Sequence, residues 1–173
     1  MSILKEKILE DAITFYNLEW DTDFFGVTSA KAIIKKPLTL TEWRELKDRF
    51  QLYEFISIEN RDSEPVNANL IGQNTSAFLA DVNIQFVKKL VGLYDEMPKN
   101  ITIHQGLKRK DQVLEIVDFQ FSKFTADAQF AIRGGDQVYH QWIINSFEKQ
   151  NKYFLLSNDE NGDINGFLLH SYT

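Results

Sequence analysis

Apolar residues along this chain recur first at helical spacing and then at strand spacing. Between residues 3 and 16, Ile3, Leu4, Ile8, Ala12, Ile13 and Phe15 mostly share one helical face, and Asn17 supplies a stop. The aromatic and β-branched stretch from Leu18 to Ile34, interrupted near Gly26, reads as two strand pieces around a bend. Pro37 ends that run. Thr41 and Glu42 then open a second helix, with Trp43, Leu46 and Phe50 in line. Leu52 to Glu59 alternates as a strand does, and Pro65 to Gln73 fits a short helix. Ser76 to Leu90 fits a long strand, with Phe78, Ala80, Val82, Ile84 and Phe86 on one face.

The stretch from Gly92 to Asn100, which contains Pro98, is the expected boundary, and the pattern changes beyond it. Ile101 to Ile103 is a short strand. Asp111 is placed to cap a helix carrying Val113, Leu114, Val117, Phe121 and Phe124, and a loop from Ser122 to Phe130 follows. Asp136 is placed to cap another helix, with Val138, Trp142, Ile143, Ser146 and Phe147 along it. Tyr153 to Leu156 is a strand, Asn161-Gly162 a two-residue hairpin turn, and Ile164 to His170 the returning strand. The fold class expected is therefore mixed α/β (α+β). A small mixed amino-terminal domain over residues 1–98 precedes a second domain over 99–173, ordered strand, helix, helix, strand, strand, ending in a β-hairpin.

Composition narrows the chemistry. An apolar fraction of 43%, with 14 Phe, marks a sequence that folds. The net charge of −6 argues against a nucleic-acid partner, which needs a concentrated basic face. Lys108-Arg109-Lys110 is a basic run, but Asp111 follows at once and the run reads as a solvated turn. With no cysteine, disulfides, thiol catalysis and thiolate metal sites are excluded. His104, His140 and His170 share no metal spacing, so no metal is expected. Asn161 to Gly166 resembles half a calcium loop, but Tyr172 stands where a bidentate Glu belongs, and the hairpin is the better reading. Residues 1 to 7 alternate charged and apolar groups without a long hydrophobic stretch, so the expectation is a cytoplasmic chain with no membrane partner.

Two clusters carry a family resemblance. Trp20-Asp21-Thr22-Asp23-Phe24-Phe25-Gly26 is the first. The second runs Phe121-Ser122-Lys123-Phe124-Thr125-Ala126-Asp127, then Tyr139-x-x-Trp142-x-x-Asn145-Ser146, with Ile164-Asn165-Gly166-Phe167 after it. In this order they resemble the sugar-amine N-acetyltransferases of the GNAT type that include TDP-fucosamine acetyltransferase. Lys123 stands where that family usually carries Arg. The resemblance implies transfer of an acetyl group from acetyl-CoA, as co-substrate, to the amine of a small acceptor, plausibly a nucleotide-linked amino sugar. It covers nearly the whole chain, though residues 52 to 110 match in outline only.

The same resemblance marks a departure. Such enzymes hold the coenzyme pyrophosphate on a loop of the form Gln/Arg-x-x-Gly-x-Gly/Ala that opens a helix. None of the 8 glycines of this sequence lies in that pattern, and Arg133-Gly134-Gly135 has the wrong spacing. The expectation is an amino-terminal portion of the family's fold, inactive by itself and binding no cofactor tightly.

Candidate site residues follow, each with a plainer alternative. Trp20, Asp21, Phe24 and Phe25 either pack a core around a turn or border an acceptor sugar, by stacking and by attracting an ammonium group. The resemblance implies that Lys123 and Asp127 lie beside the acceptor; alternatively Asp127 fixes a loop by bonding to backbone amides. Tyr139 either reaches a cleft or joins Trp142 in a core stripe. No residue is selected as catalytic acid or base. The rival to an enzyme is a non-catalytic binding or assembly module, a possible homodimer formed through an open sheet edge.

Overall fold

The structure, a computed structural model, describes residues 11–84, 86, 87, 89, 97–117 and 122–171. Residues 3–10 of the helix expected over 3–16, and Phe121 and Tyr172, lie outside these. The fold class is as the sequence predicts, mixed α/β with two small sheets. The chain divides into two units, residues 1–79 and 80–173, so the second takes in residues 80–98, which the sequence reading gives to the first part.

In the first unit, β1 (Ile13–Asn17) pairs antiparallel with β2 (Ser29–Ile34), and β2 pairs parallel with β3 (Phe55–Asn60). Residues 13 to 16 are thus strand rather than helix. Ile13, Thr14, Phe15 and Tyr16 are β-branched or aromatic, and a paired neighbour decides their conformation over helical spacing. Residues 19 to 25 err in the opposite sense: they form helix α1 (Glu19–Phe25), not a strand piece. Glu19 and Asp21 lie in its first turn, where the helix dipole favours acids, and Gly26 ends it at φ +67°.

Helix α2 (Leu40–Phe50) makes the crossover from β2 to β3. Its cap is Thr39, not Thr41: the hydroxyl accepts from Glu42 N at 3.3 Å, and the Glu42 carboxylate accepts from Thr39 N at 2.7 Å. Trp43 and Leu46 share one buried core with Ala32 and Ile34 of β2. Helix α3 (Pro65–Asn74) follows β3 as expected and buries Asn67 completely. The Asn67 amide accepts from Leu38 N at 2.9 Å and donates to Lys36 O and Asn60 Oδ1 at 3.1 and 3.2 Å. One side chain thereby ties the helix to the end of β3 and to the loop after β2.

Beyond α3 the expected long strand is not formed. Among the described residues from 76 to 89 none pairs with a strand, although the alternation is strong. A strand pattern becomes a strand only where a neighbour supplies hydrogen bonds.

In the second unit, β4 (Ile101–Gln105), β5 (Tyr153–Asn158) and β6 (Ile164–His170) form an antiparallel sheet in that order. The helical part between β4 and β5 is more broken than two helices. Helix α4 (Asp111–Glu115) is a short piece whose N-cap is Lys110, with no side-chain cap bond; Asp111 is its first residue, not its cap. Helices α5 (Lys123–Ala126) and α6 (Ala128–Ala131) replace the expected loop. A 3₁₀ turn (Gly135–Gln137) leads into α7 (Val138–Ile144), so Asp136 is inside that turn and does not cap. Leu107, Val113, Leu114, Ile143, Phe147, Phe154, Leu156 and Ile164 make the core, with Phe147 stacked on Phe154 at 5.2 Å.

The hairpin is longer than a two-residue turn. β5 runs on to Asn158, and the Asp159 carboxylate accepts from Asn161 N and Asp163 N, both at 2.9 Å. Gly162 takes φ +89° within that loop.

Candidate functional site

Two of the three second-unit candidates, Lys123 and Tyr139, converge on one ring. Lys123 Nζ lies 5.2 Å from the centroid of Phe124, a cation–π arrangement. Tyr139 meets the same ring edge-on at 6.0 Å, and Trp142 meets it edge-on at 5.7 Å. Tyr139 and Trp142 are themselves 5.2 Å apart, and Phe130 lies 6.0 Å from Phe124. Phe124 is 3% exposed, so it is the hub, while Lys123 and Trp142 reach solvent and Tyr139 is half-buried.

Local sequence builds this cluster. Ser122 Oγ accepts from Thr125 N at 3.2 Å, and Thr125 Oγ1 accepts from Ser122 N at 3.2 Å, a capping box that starts α5. Asp127 then caps α6: its Oδ1 accepts from Gln129 N at 2.7 Å and Phe130 N at 3.1 Å. This is the plainer of the two roles weighed for Asp127. Ser146, at the far end of α7, donates to Trp142 O at 2.7 Å and holds that turn closed.

Gly135 is the residue sequence reasoning missed. A Cβ there would stand 2.1 Å from the carbonyl oxygen of Phe124 and 3.0 Å from that of Phe130. Only glycine lets the 3₁₀ turn lie against α5 and α6 so closely. Within Arg133-Gly134-Gly135, Gly135 therefore serves close packing against the carbonyl oxygens of Phe124 and Phe130. Arg133 itself donates back to Gln129 O at 2.9 Å and Gln129 Oε1 at 3.0 Å. A Gly-Gly pair directly before an apolar helical stripe was the available signal.

Burial, and after it the negative charge of Asp81, push the Tyr139 phenol above the usual tyrosine value. Tyr139 is thus a neutral hydroxyl at physiological pH, fit to donate or accept a hydrogen bond beside a cation and an aromatic wall.

The other four candidates belong to the first unit and lie on α1. Trp20 stacks on Phe24 at 4.8 Å with an interplanar angle of 17°, the i, i+4 pairing of one helix face. Phe25 is buried and meets Phe24 edge-on at 4.9 Å. Trp20, Asp21 and Phe24 remain half-buried.

Among the described residues, no group of three or more His, Asp or Glu side chains is placed to hold a metal ion, and no helix is long and apolar enough to cross a membrane. A shallow open depression lies at the hairpin end of the second sheet, lined by Asn100, Asn158, Asp159, Glu160 and Asn165. Its lining includes none of the candidate residues. Compared with known proteins, the chain matches no family model, no curated protein and no solved structure.

Proposed function

We propose that this chain supplies the acceptor-binding part of an N-acetyltransferase that acetylates the amine of a nucleotide-linked amino sugar. The observation that carries the reading is the convergence of Lys123 and Tyr139 on the Phe124 ring, inside the cluster of residues that resembles the acetyltransferase family. Trp142 offers an exposed edge for a sugar or base to pack on, Tyr139 a neutral hydroxyl, and the Lys123 ammonium a partner for a diphosphate. The element order of the second unit, a strand, helices, then a two-stranded return, agrees with the order that the resemblance implies.

In this reading the amine attacks the thioester directly and no covalent enzyme intermediate forms. Residues 1–173 hold no glycine-rich pyrophosphate loop, so the activity draws acetyl-CoA binding from outside them. The test is calorimetric titration of the chain with a nucleotide-linked amino sugar and, separately, with acetyl-CoA. The reading expects the sugar nucleotide to bind, Lys123→Ala to weaken it by about 1 kcal/mol, roughly five-fold, and acetyl-CoA to give no heat. Sugar-nucleotide binding that is absent, or unaltered in both Lys123→Ala and Tyr139→Phe, removes the site.

A further inference from the structure

We infer that residues 76–84 are an exchange strand, which in solution pairs in parallel with the free edge of β3 in a second copy of this chain. The segment has every property of a strand except a partner. Phe78, Ala80, Val82 and Ile84 alternate with Leu79, Asp81 and Asn83, with no Gly or Pro and one charge. Yet it forms no sheet, and Phe78, Leu79, Val82 and Ile84 are 56%, 82%, 66% and 66% exposed. A contiguous apolar row of this kind, left in water, marks an interaction surface.

The complementary surface is on the same chain. β3 is the last strand of the order β1-β2-β3, and no strand lies beyond it among the described residues. Its Ile56 and Ile58 stand in register with Ala30 and Ala32 on the core face, while Ser57 and Glu59 stand opposite. An added parallel strand with Val82 beside Ile56 and Ile84 beside Ile58 continues the apolar row and places Asn83 beside Ser57, so both faces match. The strand–helix–strand order that sets β3 parallel to β2 sets the same direction for a strand following α3.

The hinge selects a second copy over the strand's own sheet. α3 ends at Asn74, and Thr75 follows at φ −137° and ψ 165°, extended backbone that leads away from the helix without a turn. Helix-to-strand connections that fold a strand back usually take about two to six residues. A hinge this short and straight favours exchange, and exchange is reciprocal, so two copies close both β3 edges at once. The inference does not rest on acetyl transfer.

The test uses the natural absence of cysteine. The full chain carrying Ser57→Cys is mixed with the full chain carrying Asn83→Cys and oxidised mildly, and mass is followed by light scattering. The expected result is a concentration-dependent dimer whose disulfide joins one chain of each kind. Val82→Asp, a change at an exposed position, is expected to weaken the dimer at least ten-fold and leave the far-ultraviolet circular dichroism of the monomer unchanged. A monomer at all concentrations overturns the inference. So does an internal disulfide in a monomeric Ser57→Cys/Asn83→Cys chain, which places the strand on its own sheet, and so does a dimer that Val82→Asp does not weaken.

Discussion

The two sheets have the same number of strands, yet they are stabilised by different means. In the first unit an eleven-residue helix lays Trp43 and Leu46 across a parallel pair of strands, and one buried amide, Asn67, fastens the open side. In the second unit the helical layer is cut into pieces of four, five and seven residues. Pieces that short do not hold together by helical cooperativity. Two of them, α5 and α6, are held by side-chain caps and by backbone contact at Gly135. A long amphipathic helix needs its stripe; a chain of short turns needs each joint.

Substitutions at the joints should therefore weaken the second unit more than comparable changes weaken the first. The largest effect is expected from Gly135→Ala, which must push two backbone carbonyls apart. It should cost on the order of 3 kcal/mol and flatten the near-ultraviolet circular dichroism of the Phe124 cluster. Retained aromatic dichroism with an unchanged urea midpoint would show that the contact is not tight. Next comes Asn67→Ala, which strands Leu38 N and removes two donors, at about 2 kcal/mol. If urea unfolding shows Asn67→Ala losing more stability than Gly135→Ala, the contrast between the units is inverted.

Asp127→Ala itself should cost about 1 kcal/mol as a lost cap, with Asp127→Ser recovering most of it. Failure of serine to recover stability would point to a role for the carboxylate beyond capping.

The smallest effects are electrostatic. Lys31 first, then Arg61, hold the Glu59 carboxyl below its usual value, although partial burial pushes it the other way. Because the folded state binds that proton less tightly, the stabilisation is present above about pH 4.5 and fades as pH falls through the lowered value. Glu59→Gln should cost less than about 1 kcal/mol at pH 7, the pair being partly exposed, and nothing in strong acid. Equal losses at both pH values would exclude the ion pair. Tyr139 runs the other way. Its raised value contributes stability below about pH 10, lost as pH rises through the folded value, and Asp81→Asn should lower its titration midpoint in absorbance at alkaline pH.

Sequence patterns revealed what depends on a stripe or an alternation: α2, β3, α3, β5 and β6 lie where their apolar spacing puts them. They misled where neighbours decide. Residues 13 to 16 have helical spacing but gain a strand partner, and residues 76 to 84 have strand spacing but lack one. Trp20 and Phe24 belong to a helix because acids in its first turn and Gly26 behind it outweigh aromatic content. Of the candidate residues, the resemblance marks Lys123, Asp127 and Tyr139, and the structure gives Asp127 the role of a helix cap. The hub, Phe124, was seen only as a core residue, and Gly135 only as half of a failed phosphate loop, because a close backbone approach leaves no periodic trace.

The hairpin also sets how this protein ages. The sequence holds two Asn-Gly pairs, and such pairs deamidate when the glycine nitrogen attacks the asparagine side-chain carbonyl. Asn165-Gly166 lies within β6, where Gly166 is in register with Ser157 and the extended backbone holds the two atoms apart. Asn161-Gly162 lies in the exposed loop, with the Gly162 N–H donating to Asp159 O at 3.1 Å. Peptide mapping after long incubation should find the one-dalton gain at Asn161 well before Asn165, making the loop a slow chemical clock beside a protected twin.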